Sequence, residues 1–242
     1  MLKYELKNLF RARWVYGYAA LFWATAFFTF SFAEGGQRAL LALTHVSVLV
    51  APLVSGLGAA NAGYVRRQFD EFLLTQPVSR SAVFLSSALA LLTVLVAAFA
   101  LPVGVVCASA GAPAGLSLRL VGATSFLVCT YVMLGQLLSL WIQDRTRGLG
   151  LFLALWFGLT VVYDAALLFV IVVFEDFPIE PLLGAAVWAN PSDAVRLLFY
   201  QDLGLRFFLP VTLPEWAVWS GLLFGGVVLG WLGWRASLRK DY

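Results

Sequence analysis

Residues 83–110 read VFLSSALALLTVLVAAFALPVGVVCASA, twenty-eight positions without one Asp, Glu, Lys or Arg. A bilayer core about 30 Å thick is crossed by roughly 20 apolar residues in a helix, so this run is long enough to span it. A strand of a membrane barrel would alternate apolar and polar residues, and this stretch does not. Five more runs of the same kind occupy 14–33, 39–64, 120–142, 148–174 and 215–234. Composition agrees: 62% of the 242 residues are hydrophobic and 12% charged, too little polar surface for a water-soluble globule. The expected fold is all-α, a polytopic membrane protein of six transmembrane helices in one domain covering 1–242. Ser31 and Ala33 resemble a small-x-small cleavage site before Glu34. The run before them is about twice the length of a signal-peptide core, so 14–33 reads as a retained span.

Basic residues fix the expected orientation. Lys3, Lys7, Arg11 and Arg13 precede the first span, Arg66, Arg67 and Arg80 lie between spans two and three, Arg145 and Arg147 between four and five, and Arg235, Arg239 and Lys240 follow the sixth. The opposite side carries Arg38, Arg119, Arg196 and Arg206. The positive-inside rule then puts both termini in the cytoplasm of a multi-pass cell-membrane protein. The basic residues read as topology signals, and nothing suggests nucleic-acid binding. Trp216 and Trp219 at one end of the last span and Trp231 and Trp234 at the other mark the two interfaces.

Three segments outside the spans carry pattern. In 1–13, MLKYELKNLFRAR, Leu2, Leu6, Leu9 and Phe10 share a helical face opposite Lys3, Lys7 and Arg11, which reads as an amphipathic interfacial helix. In 65–82, VRRQFDEFLLTQPVSRSA, the spacing of Phe69, Phe72 and Leu73 gives a short cytoplasmic helix one apolar ridge. Arg66 with Asp70 and Arg67 with Glu71 are i, i+4 pairs on its polar side, and Pro77 ends it. The ridge would either dock a protein partner or dip into the headgroup region. The far-side segment 175–213 contains ANPSDAVRLLFYQDL, in which Asn190 is a good N-cap, Pro191 suits the first turn and Asp193 complements the positive helix end. Val195, Leu197, Leu198 and Phe199 give this helix enough apolar surface to lie in the interface or dip between the spans, and Pro210 and Pro214 punctuate the return.

Absences bound the chemistry. There is no G-x-x-x-x-G-K-[ST], and the only lysines are Lys3, Lys7 and Lys240, so no phosphate-cradling loop can be built. No H-E-x-x-H, paired-cysteine zinc pattern or G-x-S-x-G elbow occurs, His45 is the single histidine, and Cys107 and Cys129 lie at different depths as free packing residues. No catalytic, cofactor or metal site is expected. Two polar groups do fall inside spans: Asp164 and His45, about 24 Å and 28 Å from the inner ends of spans five and two at 1.5 Å per residue. They would meet and line a polar path, or a protonated Asp164 would be satisfied by Tyr131, Thr160 or backbone. Glycines at Gly56, Gly58 and Gly63 in span two and Gly221, Gly225, Gly226, Gly230 and Gly233 in span six suit either a homodimer seam or close packing within one chain. Pro52 and Pro102 are expected to kink their spans.

The amphipathic start, six spans and RRQFDEFLLTQPVSRSAVFLSSALA together resemble an ATP-binding-cassette (ABC) transporter permease of the type-2 class, with Leu73, Leu74, Pro77, Val78, Ser79 and Arg80 forming that class's coupling core. The stretch NPSDAVRLL, Asn190 to Leu198, is similar to permeases of the nitrous-oxide-reductase maturation branch, which is a copper-processing one. The glutamate that often precedes a glycine-containing coupling helix is absent, and Arg66, Arg67, Asp70 and Glu71 supply the charge instead. The resemblance implies a separate cytoplasmic ABC ATPase, usually two copies of each subunit, with Phe69, Phe72 and Leu73 docking into the ATPase, and an extracytoplasmic partner is a further expectation. A non-transporting scaffold or a proton-coupled carrier using Asp164 are the competing readings.

Overall fold

The computed structural model describes residues 2–33, 35–74, 78–174, 177, 179–205 and 212–239. Met1, Glu34, Pro77, Arg206, Pro210 and Lys240 lie outside them, as do the side chains of Glu71 and Leu74. The described residues are helical without strands: α1 Leu2–Leu9, α2 Arg13–Phe32, α3 Gly36–Leu74, α4 Arg80–Ser109, α5 Ala114–Trp141, α6 Arg145–Phe157, a π-helical turn Gly158–Val162, α7 Tyr163–Val173, α8 Glu180–Ala189, α9 Pro191–Asp202 and α10 Glu215–Arg239. Six helices are long and apolar enough to cross a membrane: α2, α3, α4, α5, the continuous α6–π–α7 unit, and α10. The chain is a multi-pass, all-α membrane protein. Pro52 and Pro102 sit inside α3 and α4 without ending either helix.

Local signals start and stop these helices. Ser79 caps α4 by accepting from the Ala82 amide at 3.3 Å, and Asp144 caps α6 by accepting from the Arg147 amide at 2.7 Å. Gly111, at φ 66°, turns the chain out of α4, with the Ala112 amide bonded back to the Cys107 carbonyl at 3.0 Å.

Two apolar cores share α3 and α5 as their common wall. One gathers α1, α2 and α4 around Phe22, Leu91, Leu95 and Phe99; the other gathers the α6–α7 unit and α8 to α10 around Leu127, Phe152, Leu198 and Leu222. α3 and α5 make the most extensive helix pair. They approach so closely that a Cβ on Gly135 would drive into the Gly56 carbonyl and lie 3.0 Å from the Ala60 nitrogen. The span-two glycines therefore serve packing within the chain: Gly56 faces Phe152, Gly58 faces Trp14 and Gly63 faces Ser139. In span six Gly221 faces Trp188 and Gly233 faces Phe84.

The segment expected as a separate coupling helix is instead the last ten residues of α3, continuous with span two. Nothing between Tyr64 and Leu74 breaks the helix, since Arg, Gln, Glu, Leu and Phe all tolerate it. The far-side segment holds two helices rather than one, and both turn into the bundle.

Candidate functional site: a coupling ridge and an intramembrane polar cluster

At the end of the bundle that carries α1 and Arg239, called here the basic end, Arg66 pairs with Asp70 at 2.9 Å as expected and also with Glu5 of α1 at 3.4 Å. Arg67 reaches off its own helix and donates to the carbonyls of Ser139 at 2.8 Å, Ile142 at 3.1 Å and Gln143 at 2.9 Å; its expected partner, the Glu71 side chain, lies outside the described residues. The carbonyls at the end of α5 are orphan acceptors, so a guanidinium there caps the helix and complements its negative pole. Arg145 donates to Asn61 Oδ1 at 2.6 Å and adds a second tie between α3 and the α5–α6 turn.

The apolar ridge is present and is wider than its sequence. Phe72 is 61% exposed and Phe69 38%, while Leu73 is half-buried. Phe69 stacks on Tyr4 of α1 with ring centroids 6.0 Å apart, so α1 contributes to the same surface. Leu9 of α1 is buried in the first core and Leu6 packs against it, whereas Leu2 and Phe10 stay exposed. Glu5 is buried beside Arg66, and burial pushes its carboxyl above the ordinary glutamate value against the opposing pull of the Arg66 guanidinium.

At the far end α8 descends into the bundle and α9 climbs back. Asn190 at their corner accepts from the Ser192 amide at 3.1 Å, capping α9 as expected, and donates to the Leu159 carbonyl at 2.7 Å and to Asp193 Oδ2 at 3.0 Å. Leu159 lies in the π turn, about 21 Å from either end of span five at 1.5 Å per residue, so the corner reaches the middle of the membrane. The Leu159 carbonyl is available because the π turn displaces the regular helical ladder there. Ser192 lies 3.3 Å from the Tyr131 hydroxyl on α5. Pro191 occupies the first helical position, and Ser192, Asp193, Val195, Leu197, Leu198 and Phe199 are all fully buried. At the rim Arg119 of α5 pairs with Asp202 of α9 and, at 2.9 Å, with Glu215 of α10.

Asp164 and His45 do not meet. Asp164 pairs with Arg196, which also reaches Asp193 Oδ1 at 3.2 Å, while His45 Nε2 lies 3.3 Å from the Tyr200 hydroxyl one turn further along α9. The expectation that Tyr131, Thr160 or backbone satisfies a protonated Asp164 is likewise replaced: Tyr131 meets Ser192, and the Thr160 hydroxyl donates to the Trp156 carbonyl at 2.7 Å. The reason is α9, which carries Arg196 from an apparent loop into the bundle. A guanidinium at that depth is stable only beside carboxylates, and Asp193 three residues before it was the sequence signal available.

No family model matches the chain. It is 27% identical over 214 residues, covering 80% of the chain and 78% of the relative, to a Pseudomonas aeruginosa protein named "Probable ABC transporter permease protein NosY". The chain is similar to an ABC transporter permease. The permease resemblance read from the sequence is thereby borne out over 80% of the chain, and six of the described helices are long and apolar enough to cross a membrane.

Proposed function

We propose that this chain is the membrane-spanning, non-catalytic subunit of an ATP-driven ABC transporter, with both termini in the cytoplasm and a separate ATPase docking on the ridge of Phe69, Phe72 and Leu73. One observation carries the reading: an exposed aromatic ridge stands at the tip of a 39-residue helix that is itself a membrane span, and Arg67 pins that helix to the next turn. A force applied at Phe72 would reach span two without an intervening joint. Arg66 and Asp70 supply the polar flank of the docking surface. Two copies of the chain are proposed to pair along the face of α7 and α9. There Asp164 and Arg196 keep 23% and 13% of their side-chain surface exposed at bilayer depth, and a second copy would take those charges away from lipid.

Among the described residues no three His, Cys, Asp or Glu side chains group as a metal site. A role in maturing a copper enzyme, implied by the family likeness, therefore fits remodelling of an extracytoplasmic partner through the α8–α9 hairpin better than passage of the ion along this chain.

The test is co-expression with a candidate ATPase, purification through a tag on this chain, and MgATP hydrolysis in lipid with and without Phe72→Ser. Co-purification, with association or turnover lost in the variant while the chain still inserts, supports the reading. A folded, inserted wild-type chain that binds no ATPase would favour a scaffold.

A further inference from the structure

At the basic end a groove of about 330 Å³ opens between α1, the start of α2, α3 and α4, behind the ridge and sharing Glu5 and Arg66 with it. Asn8, Arg11 and Asn61 stand around its mouth, and Trp14, Val65 and Leu91 line it. The Trp14 ring packs over Gly58, nearly one turn deeper along α3 than Asn61, while Val65 lies about one turn nearer the basic end. Val65 is 65% exposed, an apolar side chain left open beside polar ones.

The electrostatics of the groove are one-sided. Arg66 is engaged by Glu5 and Asp70, Arg67 by carbonyls and Arg145 by Asn61, whereas Arg11 is exposed and has no ion-pair partner among the described residues. Lys3, Lys7 and Arg13 belong to the same end of the chain, and the acids beside the groove, Glu5 and Asp70, both pair with Arg66. A guanidinium with amide donors at the mouth and an apolar bed beneath, at the level where a helix lies on a leaflet, matches a phosphate with acyl chains attached. A zwitterionic headgroup would bring its own cation into this basic corner. We propose that the groove holds one anionic phospholipid, its phosphate on Arg11 and its chains against Trp14 and Leu91, which fastens α1 to the bundle. The proposal is independent of any ATPase.

The test is native mass spectrometry of the full chain, purified in detergent and supplied with dioleoyl phosphatidylglycerol or dioleoyl phosphatidylcholine. One phosphatidylglycerol should be retained in preference to phosphatidylcholine. Arg11→Gln should lower that retention about fivefold, the weight of one basic side chain against an anionic headgroup. Lys3→Gln, at an exposed residue that does not line the groove, should change it by less than about twofold. Val65→Trp, which fills the groove without touching charge, should lower retention as well and serves if Arg11→Gln does not fold. Equal retention of the two lipids, equal losses from the Arg11 and Lys3 changes, or displacement of the lipid by inorganic phosphate at equal concentration would each overturn the proposal.

Discussion

Arg196 faces two carboxylates, and this imbalance makes an ordered prediction. Replacing Arg196 with Met leaves Asp164 and Asp193 without their cation, the latter with no exposed surface at all. Removing one partner of a buried ion pair costs about 3 to 5 kcal/mol, because the stranded charge must be desolvated or neutralised. Asp164→Asn is far milder. The amide oxygen still accepts from Arg196, so a charge-assisted hydrogen bond becomes an ordinary one, a loss of about 1 kcal/mol. Asp164 Oδ1 is buried without a hydrogen-bond partner, so placing an amide group there breaks no existing bond. Arg196→Met should thus destabilise about three times as much as Asp164→Asn, measured by reversible unfolding in mixed micelles titrated with dodecyl sulfate. Adding Asp164→Asn and Asp193→Asn to Arg196→Met should recover part of the loss, since the charges then disappear together. Equal effects of the two single changes, or no recovery in the triple variant, would falsify the assignment of Arg196 as the shared cation.

Four further outcomes test the other joints. Gly135→Val should destabilise by about 1 to 3 kcal/mol or more in the same titration, because its side chain meets Gly56 and Ala60 backbone that cannot swing aside. Arg67→Ala should free three carbonyls at the end of α5 and lower stability by about 1 to 2 kcal/mol, with faster hydrogen exchange confined to the α5–α6 turn. Because burial raises the Glu5 carboxyl, α1 docking should tighten as pH falls through that raised value and loosen as pH rises through it; a dye on Leu2→Cys should report the change, and Glu5→Gln should abolish it. Bridging Ser81→Cys and Trp234→Cys with a short bis-maleimide, where the Trp234 indole now donates to Ser81 at 3.2 Å, should stop ATP-coupled turnover and leave ATPase binding intact.

The six spans were legible because length and the absence of charge leave an apolar helix no other stable place. The cap at Asn190 was legible for a similarly local reason: N-P-S-D satisfies the first turn of a helix wherever that helix lies. Its position was not. The α8 sequence EPLLGAAVWA is too short to span, the α9 sequence fits the interface as well as a place between the spans, and Arg196 counted as a far-side charge although it is half-buried at the depth of Asp164. Only the tertiary packing of α9 against α5 and α10 brings Arg196 to Asp164 and Tyr200 to His45. The apolar ridge was legible as a face, since the spacing of Phe69, Phe72 and Leu73 depends on helical period alone. The α1 contribution through Tyr4 and Glu5 required knowing that the amphipathic helix folds back on the bundle, which no local pattern encodes.

The two cores suggest how a push at the ridge is divided. α3 and α5 belong to both and are locked together at Gly56 and Gly135, so they move as a spine rather than sliding. On one side α9 is fastened to this spine by Arg119 with Asp202 and by Tyr131 with Ser192, and to span five by Arg196 with Asp164; separating any ion-paired joint in a low-dielectric bundle is costly. On the other side α2 and α4 meet the spine through apolar side chains and one neutral hydrogen bond, from Gln136 of α5 to Ser87 of α4 at 3.2 Å, and these contacts can shift by small increments without stranding a charge. The less costly displacement is therefore of the α1, α2 and α4 layer relative to the rest. Among the described residues, ties that resist it at the basic end are Trp234 with Ser81 and Arg80 with the Leu238 carbonyl between α4 and α10, Gln136 with Ser87 between α5 and α4, and Glu5 with Arg66 between α1 and the spine. For that reason the bis-maleimide bridge belongs at Ser81 and Trp234: it fastens the layer whose displacement strands the fewest charges.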